Sequence, residues 1–159
     1  MTCPDRPETH FIREIAVRYV GRAKRAPAAI HAPFEAVGFM RRVVTDDARE
    51  HFLAIYLDGR HRPIAHQVVS VGTATASLVH PREVFQPAVL AGACAVIIGH
   101  NHPSGDPSPS GEDRAVTQRL AKAGELIGIR LLDSLVWVRA GRYVSFQENE
   151  PELFQSSTA

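Results

Sequence analysis

Apolar residues recur along the chain with two periods, and the change from one to the other marks out the elements. Phe11 to Val20 alternates as a strand does, and the mixed Gly, Pro, Lys and Arg of Gly21 to Ala29 reads as a loop. Over Pro33 to Val44, the residues Phe34, Val37, Met40 or Arg41, and Val44 fall at helical spacing, with Pro33 suited to a first turn. Phe52 to Leu57 is a β-rich run reaching Asp58-Gly59, a strong hairpin signal, and Pro63 to Val71 returns as its partner. Pro81 to Ala91 predicts a helix that Pro87 must restart or kink, with Gly92 offering its end. Cys94 to Ile98 is apolar without a break, the pattern of a central strand covered on both faces. Ser110 to Ile127 predicts an amphipathic helix with Val116, Leu120, Ala123 and Ile127 on one stripe. Strands follow at Ile129 to Val138 and Tyr143 to Phe146, around an Ala140-Gly141 turn. Glu148 to Ala159 reads as a frayed tail. This order predicts an α/β (α+β) fold, a mixed β-sheet flanked by helices.

Composition bounds the picture. With 159 residues and 45% hydrophobic positions the chain fills one core and not two. The expected organisation is an N-terminal arm over 1–30, one domain over 31–147 and a C-terminal tail over 148–159. High apolar content with a formal net charge of +1 excludes wholesale disorder. The longest mostly apolar run, Ala88 to Gly99, is interrupted by Gly92 and falls short of the roughly 18 residues of a membrane span. The N-terminus shows no apolar signal-peptide core, and the cysteines are Cys3 and Cys94, so a reducing cytoplasm is the expected location. Cys94 reads as a small core residue and Cys3 as a solvated thiol. Residues 1–42 hold eight Lys/Arg against four Asp/Glu and the remainder ten against thirteen, giving +4 and −3. A basic arm of this size offers weak support for nucleic-acid binding, which usually needs a concentrated patch.

The chemistry concentrates between His100 and Asp113, in the run His100-Asn101-His102-Pro103-Ser104-Gly105-Asp106-Pro107-Ser108-Pro109-Ser110-Gly111-Glu112-Asp113. Side chains at i and i+2 of an extended chain share a face, so His100 and His102 project together while Asn101 points away. Pro103 and the Pro/Ser/Gly loop turn the chain before a helix opens at Ser110, which returns Asp113 toward the histidines. Two imidazoles and a carboxylate leave a fourth tetrahedral position open, the pattern of a catalytic zinc site; the cysteine count excludes a closed thiolate site. Taken alone, Ser110 with Asp113 three residues on is a capping box, and a lone His-x-His is an ordinary strand end. It is the combination that points to a metal. Such a site also needs a proton acceptor for the attacking water. Glu50, just before the Phe52 strand, and Glu83, in a first helical turn where the dipole favours a carboxylate, compete for that role.

His100-x-His102-Pro103 followed by Ser110-x-x-Asp113 matches the JAMM (MPN+) metalloprotease motif. Together with Arg49-Glu50-His51-Phe52, Val71-Gly72-Thr73, His80-Pro81-Arg82-Glu83-Val84-Phe85 and Tyr143-Val144-Ser145-Phe146, the chain resembles the RadC-like branch of the JAB family over about Asp46 to Gln147. The resemblance implies a JAB/MPN-like (cytidine deaminase-like) single domain in which His100, His102 and Asp113 bind Zn2+. It also implies that Ser110 supports the water or the oxyanion, and it places the family's upstream glutamate on Glu50. The implied activity is zinc-dependent hydrolysis of a peptide or isopeptide bond in a peptide or protein substrate; a chain of this size has little room for a built-in specificity domain, so an extended peptide tail laid along a sheet edge is expected. A DNA-associated repair accessory protein with a structural or vestigial zinc site is the alternative; a metal-free scaffold and a phosphodiesterase are weaker rivals. Full-length relatives carry an N-terminal helix-hairpin-helix region that the segment before Pro33 is too short to supply, so a lone catalytic domain is expected. Asp133-Ser134 stands where the family often has Asp-His, and Thr73-Ala74-Thr75 lacks a frequent Asn.

Overall fold

The computed structural model describes residues 18–19, 21, 27–72 and 79–155. The elements are α1 (Pro33–Val43), β1 (Glu50–Leu57), β2 (Pro63–Gly72), α2 (Pro81–Leu90), β3 (Ala95–Asn101), α3 (Gly111–Ile127), β4 (Arg130–Trp137), β5 (Tyr143–Ser145) and α4 (Phe146–Asn149), followed by a 3₁₀ turn at Pro151–Phe154. The strands form one mixed sheet in the order β2-β1-β3-β4-β5. β1 pairs antiparallel with both β2 and β3, β4 runs parallel to β3, and β5 returns antiparallel to β4. A parallel neighbour needs a long crossover, which is the work of α3 between β3 and β4.

Strand alternation sorts the core into two layers. Phe52, Ala54 and Tyr56 of β1 and Val96 and Ile98 of β3 face α2 and α3, where they meet Val84, Phe85, Val116 and Leu120. Leu53, Ile55 and Leu57 with Ile97 face α1, where they meet Val37 and Met40, and Trp137 of β4 joins the same cluster. Both β1 and β3 are therefore covered on both sides, which is why their sequences read as unbroken apolar runs. Gly99 is needed in β3 because a Cβ there would meet the Leu135 carbonyl oxygen and Met40 Sδ, each at 2.8 Å.

The predicted helices and strands from Pro33 to Ser145 are present, with differences at the ends. β3 runs on to Asn101, so His100 stands inside the central strand. β1 begins at Glu50, which makes that residue part of the sheet. α2 is continuous through Pro87: the ring costs one backbone N–H donor and the helix neither stops nor restarts. Two expectations are corrected. Cys94 is exposed, because it precedes β3 and its own N–H donates to the Leu57 carbonyl at the strand end instead of its side chain entering the core. The chain from Glu148 to Gln155 is not a frayed tail. It forms the end of α4 and a 3₁₀ turn that pack back on α3, with Phe154 against the core. The strand expected over 11–20 lies outside the described residues, apart from 18 and 19, which belong to no element. Among the described residues no helix is long and apolar enough to cross a membrane.

Candidate metal centre

The site is built at the end of β3. His100 is 1% exposed, and its ring lies parallel to Phe52 of β1, with centroids 6.0 Å apart and 8° between planes. His102 follows the strand end, its backbone N–H donating to the Trp137 carbonyl of β4 at 2.8 Å. The two side chains emerge on one face, as their spacing predicts, with Nε2 atoms 3.0 Å apart. The loop from Pro103 to Pro109 then reverses the chain into α3, whose third residue is Asp113. Its Oδ1 lies 3.2 Å from His100 Nε2 and its Oδ2 3.8 Å from His102 Nε2. One donor atom from each of the three residues lies within 4.8 Å of the others.

These donors suit a divalent cation. A tetrahedral ion with bonds of about 2.0–2.1 Å holds its ligand atoms about 3.3 Å apart, close to the 3.0 Å between the two Nε2 atoms and the 3.2 Å from His100 Nε2 to Asp113 Oδ1. His102 is already set to ligate: its Nδ1–H donates to the Asp106 carbonyl at 2.8 Å, which leaves the lone pair on Nε2. Asp113 Oδ2 accepts from both the backbone N–H and the hydroxyl of Ser110, each at 2.7 Å, so Oδ1 is the oxygen free to bind. Burial pushes the Asp113 carboxyl up, but the His100 hydrogen bond and charge and the Ser110 donors outweigh it and hold the group well below the usual carboxylate range. His100 Nδ1 is the buried side-chain polar atom left without a hydrogen-bond partner among the described residues.

Ser110 thus serves the cluster through Asp113. Its oxygen caps α3 by accepting from the Asp113 N–H at 3.1 Å, and its single proton is spent on the carboxylate. Replacing Ser110 by alanine is expected to lower metal affinity by about 10–100-fold, as loss of an outer hydrogen bond on a ligand does. Competition with a chromogenic chelator measures it; unchanged affinity would mean that the Ser110 N–H alone orients Asp113.

Glu50 belongs to the same face. It precedes Phe52 by two residues, and Phe52 pairs with His100 across the β1–β3 ladder. Burial is the main influence on its carboxyl and raises it above its ordinary value; charge on His100 and His102 pulls it down, and Asp113 and Glu112 push it up. Glu83 is elsewhere. It is exposed at the start of α2, with its carboxylate accepting from the His80 N–H at 2.9 Å, the capping role its position suggests.

Three contributors were missed. Asn101 ties β3 to β1 with its carboxamide. The Asp106 carbonyl orients His102, a backbone role that no residue identity reveals. Arg114, beside Asp113, grips both Glu150 carboxylate oxygens at 2.8 Å and donates to the Pro109 carbonyl at 3.1 Å, so the C-terminal segment braces the turn that carries the third donor. A cavity of about 700 Å³ opens beside His102, between Asp46 and Asp47 on one side and Pro103 and Arg139 on the other. It lies at the carboxyl ends of parallel β3 and β4, where ligands of α/β sheets commonly sit.

A mixed sheet between helical layers, with two histidines and an aspartate converging at the end of its central strand, defines a JAB-type domain carrying a candidate metal site. The chain belongs to the RadC-like JAB domain family, which matches residues 30–151. It is 45% identical over 134 residues to a UPF0758 protein of Pelobacter propionicus, covering 84% of this chain and 58% of that protein. It is 41% identical over 135 residues to one from Methanosarcina acetivorans, covering 85% and 58%. Over a shorter stretch of 99 residues it is 57% identical to one from Symbiobacterium thermophilum, covering 62% and 42%. The chain therefore spans about half the length of the curated relatives it matches, 42% to 58% of these three.

Proposed function

We propose that this domain is a zinc-dependent hydrolase of the cytoplasm that cleaves a peptide or isopeptide bond with a metal-activated water. The observation that carries the reading is the convergence of His100, His102 and Asp113 on one point, with Glu50 on the same sheet face and a cavity alongside. When bound there, a zinc ion supplies Lewis acidity and brings the pKa of a coordinated water to about 7. His100, His102 and Asp113 would hold the ion, and a histidine and carboxylate set without thiolate suits zinc in a catalytic role.

Around that point the chain's own groups divide the work. Glu50 accepts a proton from the attacking water and delivers it to the leaving nitrogen, a shuttle that suits a carboxyl raised above its ordinary value mainly by burial. Ser110 holds Asp113 in its ligating pose and reaches a developing oxyanion only by releasing that carboxylate. The cavity beside His102 receives the substrate chain on one side of the scissile bond.

Incubating the zinc-loaded protein with a quenched-fluorescent peptide library tests this. Cleavage that disappears on chelation and returns with zinc is expected. Zinc bound at one equivalent without cleavage of any library peptide or of a ubiquitin-like isopeptide conjugate would overturn it.

A further inference from the structure

Asn101 lies between the two imidazoles in sequence but on the opposite face of the sheet, and it is 3% exposed. Its carboxamide reaches β1: Oδ1 accepts from the His51 N–H at 2.7 Å and Nδ2 donates to the Arg49 carbonyl at 2.9 Å. A flipped amide would set donor against donor and acceptor against acceptor, so the two contacts fix one orientation.

The residue enclosed by these two contacts is Glu50. In an extended chain, the carbonyl of one residue and the N–H of the residue two further on point to the same side, away from the side used by the residue between them. The His51 N–H and the Arg49 carbonyl meet Asn101 of β3, so the N–H and carbonyl of Glu50 turn toward β2, where Glu50 stands opposite Gly72. The backbone pairing of β1 with β3 runs from Leu57 opposite Ala95 to Phe52 opposite His100. Beyond it, the His102 N–H has gone to Trp137 of β4. A carboxamide offers the same donor and acceptor as a peptide unit, and Asn101 carries the ladder one step past the point where the backbones separate.

We infer that Asn101 is a positioning residue for Glu50: by capturing the backbone on both sides of it, the carboxamide fixes where the Glu50 carboxylate stands relative to the His100, His102 and Asp113 cluster. This rests on Glu50 being the proton-transferring group of the proposed hydrolase. Held by β2 on one edge and by Asn101 on the other, Glu50 keeps only its own side-chain torsions. Without the carboxamide, Glu50 and His51 lie beyond the β1–β3 pairing, which among the described residues begins at Phe52 opposite His100. A displacement of about 1 Å at a reacting group costs about a hundredfold in rate. The Arg49 carbonyl also receives the His51 Nδ1–H at 2.9 Å, so His51 steadies the clamp without replacing its reach to β3.

The test compares wild type with Asn101→Ala and Asn101→Asp, the second keeping the acceptor for the His51 N–H and losing the donor to Arg49. Zinc content is expected to stay at one equivalent in both. Amide hydrogen exchange at His51, followed by NMR, is expected to quicken by about tenfold or more in Asn101→Ala, as when a protecting hydrogen bond is lost, with Phe52 and Leu53 unchanged. With zinc-loaded protein and a cleaved library peptide, kcat is expected to fall about 10–100-fold in Asn101→Ala and at least as far in Asn101→Asp, whose second oxygen faces the Arg49 carbonyl, with KM within about twofold in Asn101→Ala. Unchanged His51 exchange, or an unchanged kcat in Asn101→Ala, would overturn the inference. So would loss of zinc, which would make Asn101 a support for the ligands. If wild type cleaves nothing, the hydrolase reading fails, and with it the role given to Glu50. The exchange data then report separately whether the carboxamide clamp exists.

Discussion

Replacing Glu50 by glutamine is expected to leave zinc bound and to reduce peptide turnover by about 10²–10⁴-fold, the usual worth of a positioned general acid–base group. Glutamine keeps the size and polarity of the side chain but cannot take up a proton. Zinc is expected to stay because the donor atoms belong to His100, His102 and Asp113, which glutamine at position 50 does not touch. The strand is expected to stay as well, since the contacts that fix it run through the Arg49 carbonyl and the His51 N–H. Metal analysis beside steady-state kinetics separates the two quantities. The control is Glu83→Gln: its carboxylate accepts one hydrogen bond at the start of α2, so that change is expected to cost at most about 1 kcal/mol of stability and nothing in rate. Normal turnover by Glu50→Gln together with inactivity of Glu83→Gln would reverse the assignment.

That contrast shows which parts of the site were legible in the sequence. The convergence of His100 and His102 follows from the two-residue period of a strand, a local rule that survives an error of three residues in where β3 ends. The return of Asp113 follows from the capping chemistry at Ser110, again local, and the same hydrogen bonds that cap α3 orient the carboxylate. Glu50 is different. Its place depends on β1 lying beside β3 in antiparallel register, a pairing across about fifty residues that no periodicity encodes. Residue pattern alone left Glu50 and Glu83 level, and only family resemblance separated them. Strand alternation turns Asn101 away from the histidines, but its bonds to Arg49 and His51 depend on the same non-local pairing. The C-terminal segment failed for a related reason. Glu148 to Gln155 is polar and short, and what orders it is the grip of Arg114 on Glu150 and the seat of Phe154 against the core, both supplied by elements distant in sequence. Cys94 heads an apolar run in sequence, but the register starts the buried strand at Ala95 and leaves the thiol exposed.

Removing one imidazole is expected to have the second large effect: His102→Ala should lose zinc at concentrations that saturate wild type. Changing an outer partner of a ligand costs about 10–100-fold in affinity, and removing a donor outright costs more than that. His102 is the better choice for this test than His100. The His100 ring is buried against Phe52, so its loss would also open the core, whereas His102 stands past the strand end with its side chain 18% exposed. Melting temperature with and without zinc gives an independent reading. Zinc at about a thousand times its dissociation constant adds about 4 kcal/mol to the stability of a protein that binds it only when folded. Wild type is expected to show that increment and His102→Ala to lack it, while the two metal-free proteins melt within a few degrees of each other. The increment also has a predictable pH dependence. A cation and protons compete for the same imidazole lone pairs, so acid is expected to shrink the zinc-dependent rise, while Asp113, held ionised by its hydrogen bonds to His100 and Ser110, adds no competing proton. A His102→Ala protein that keeps one equivalent of zinc and the full thermal increment would place the ion elsewhere and dissolve the case for a hydrolytic centre at the end of β3.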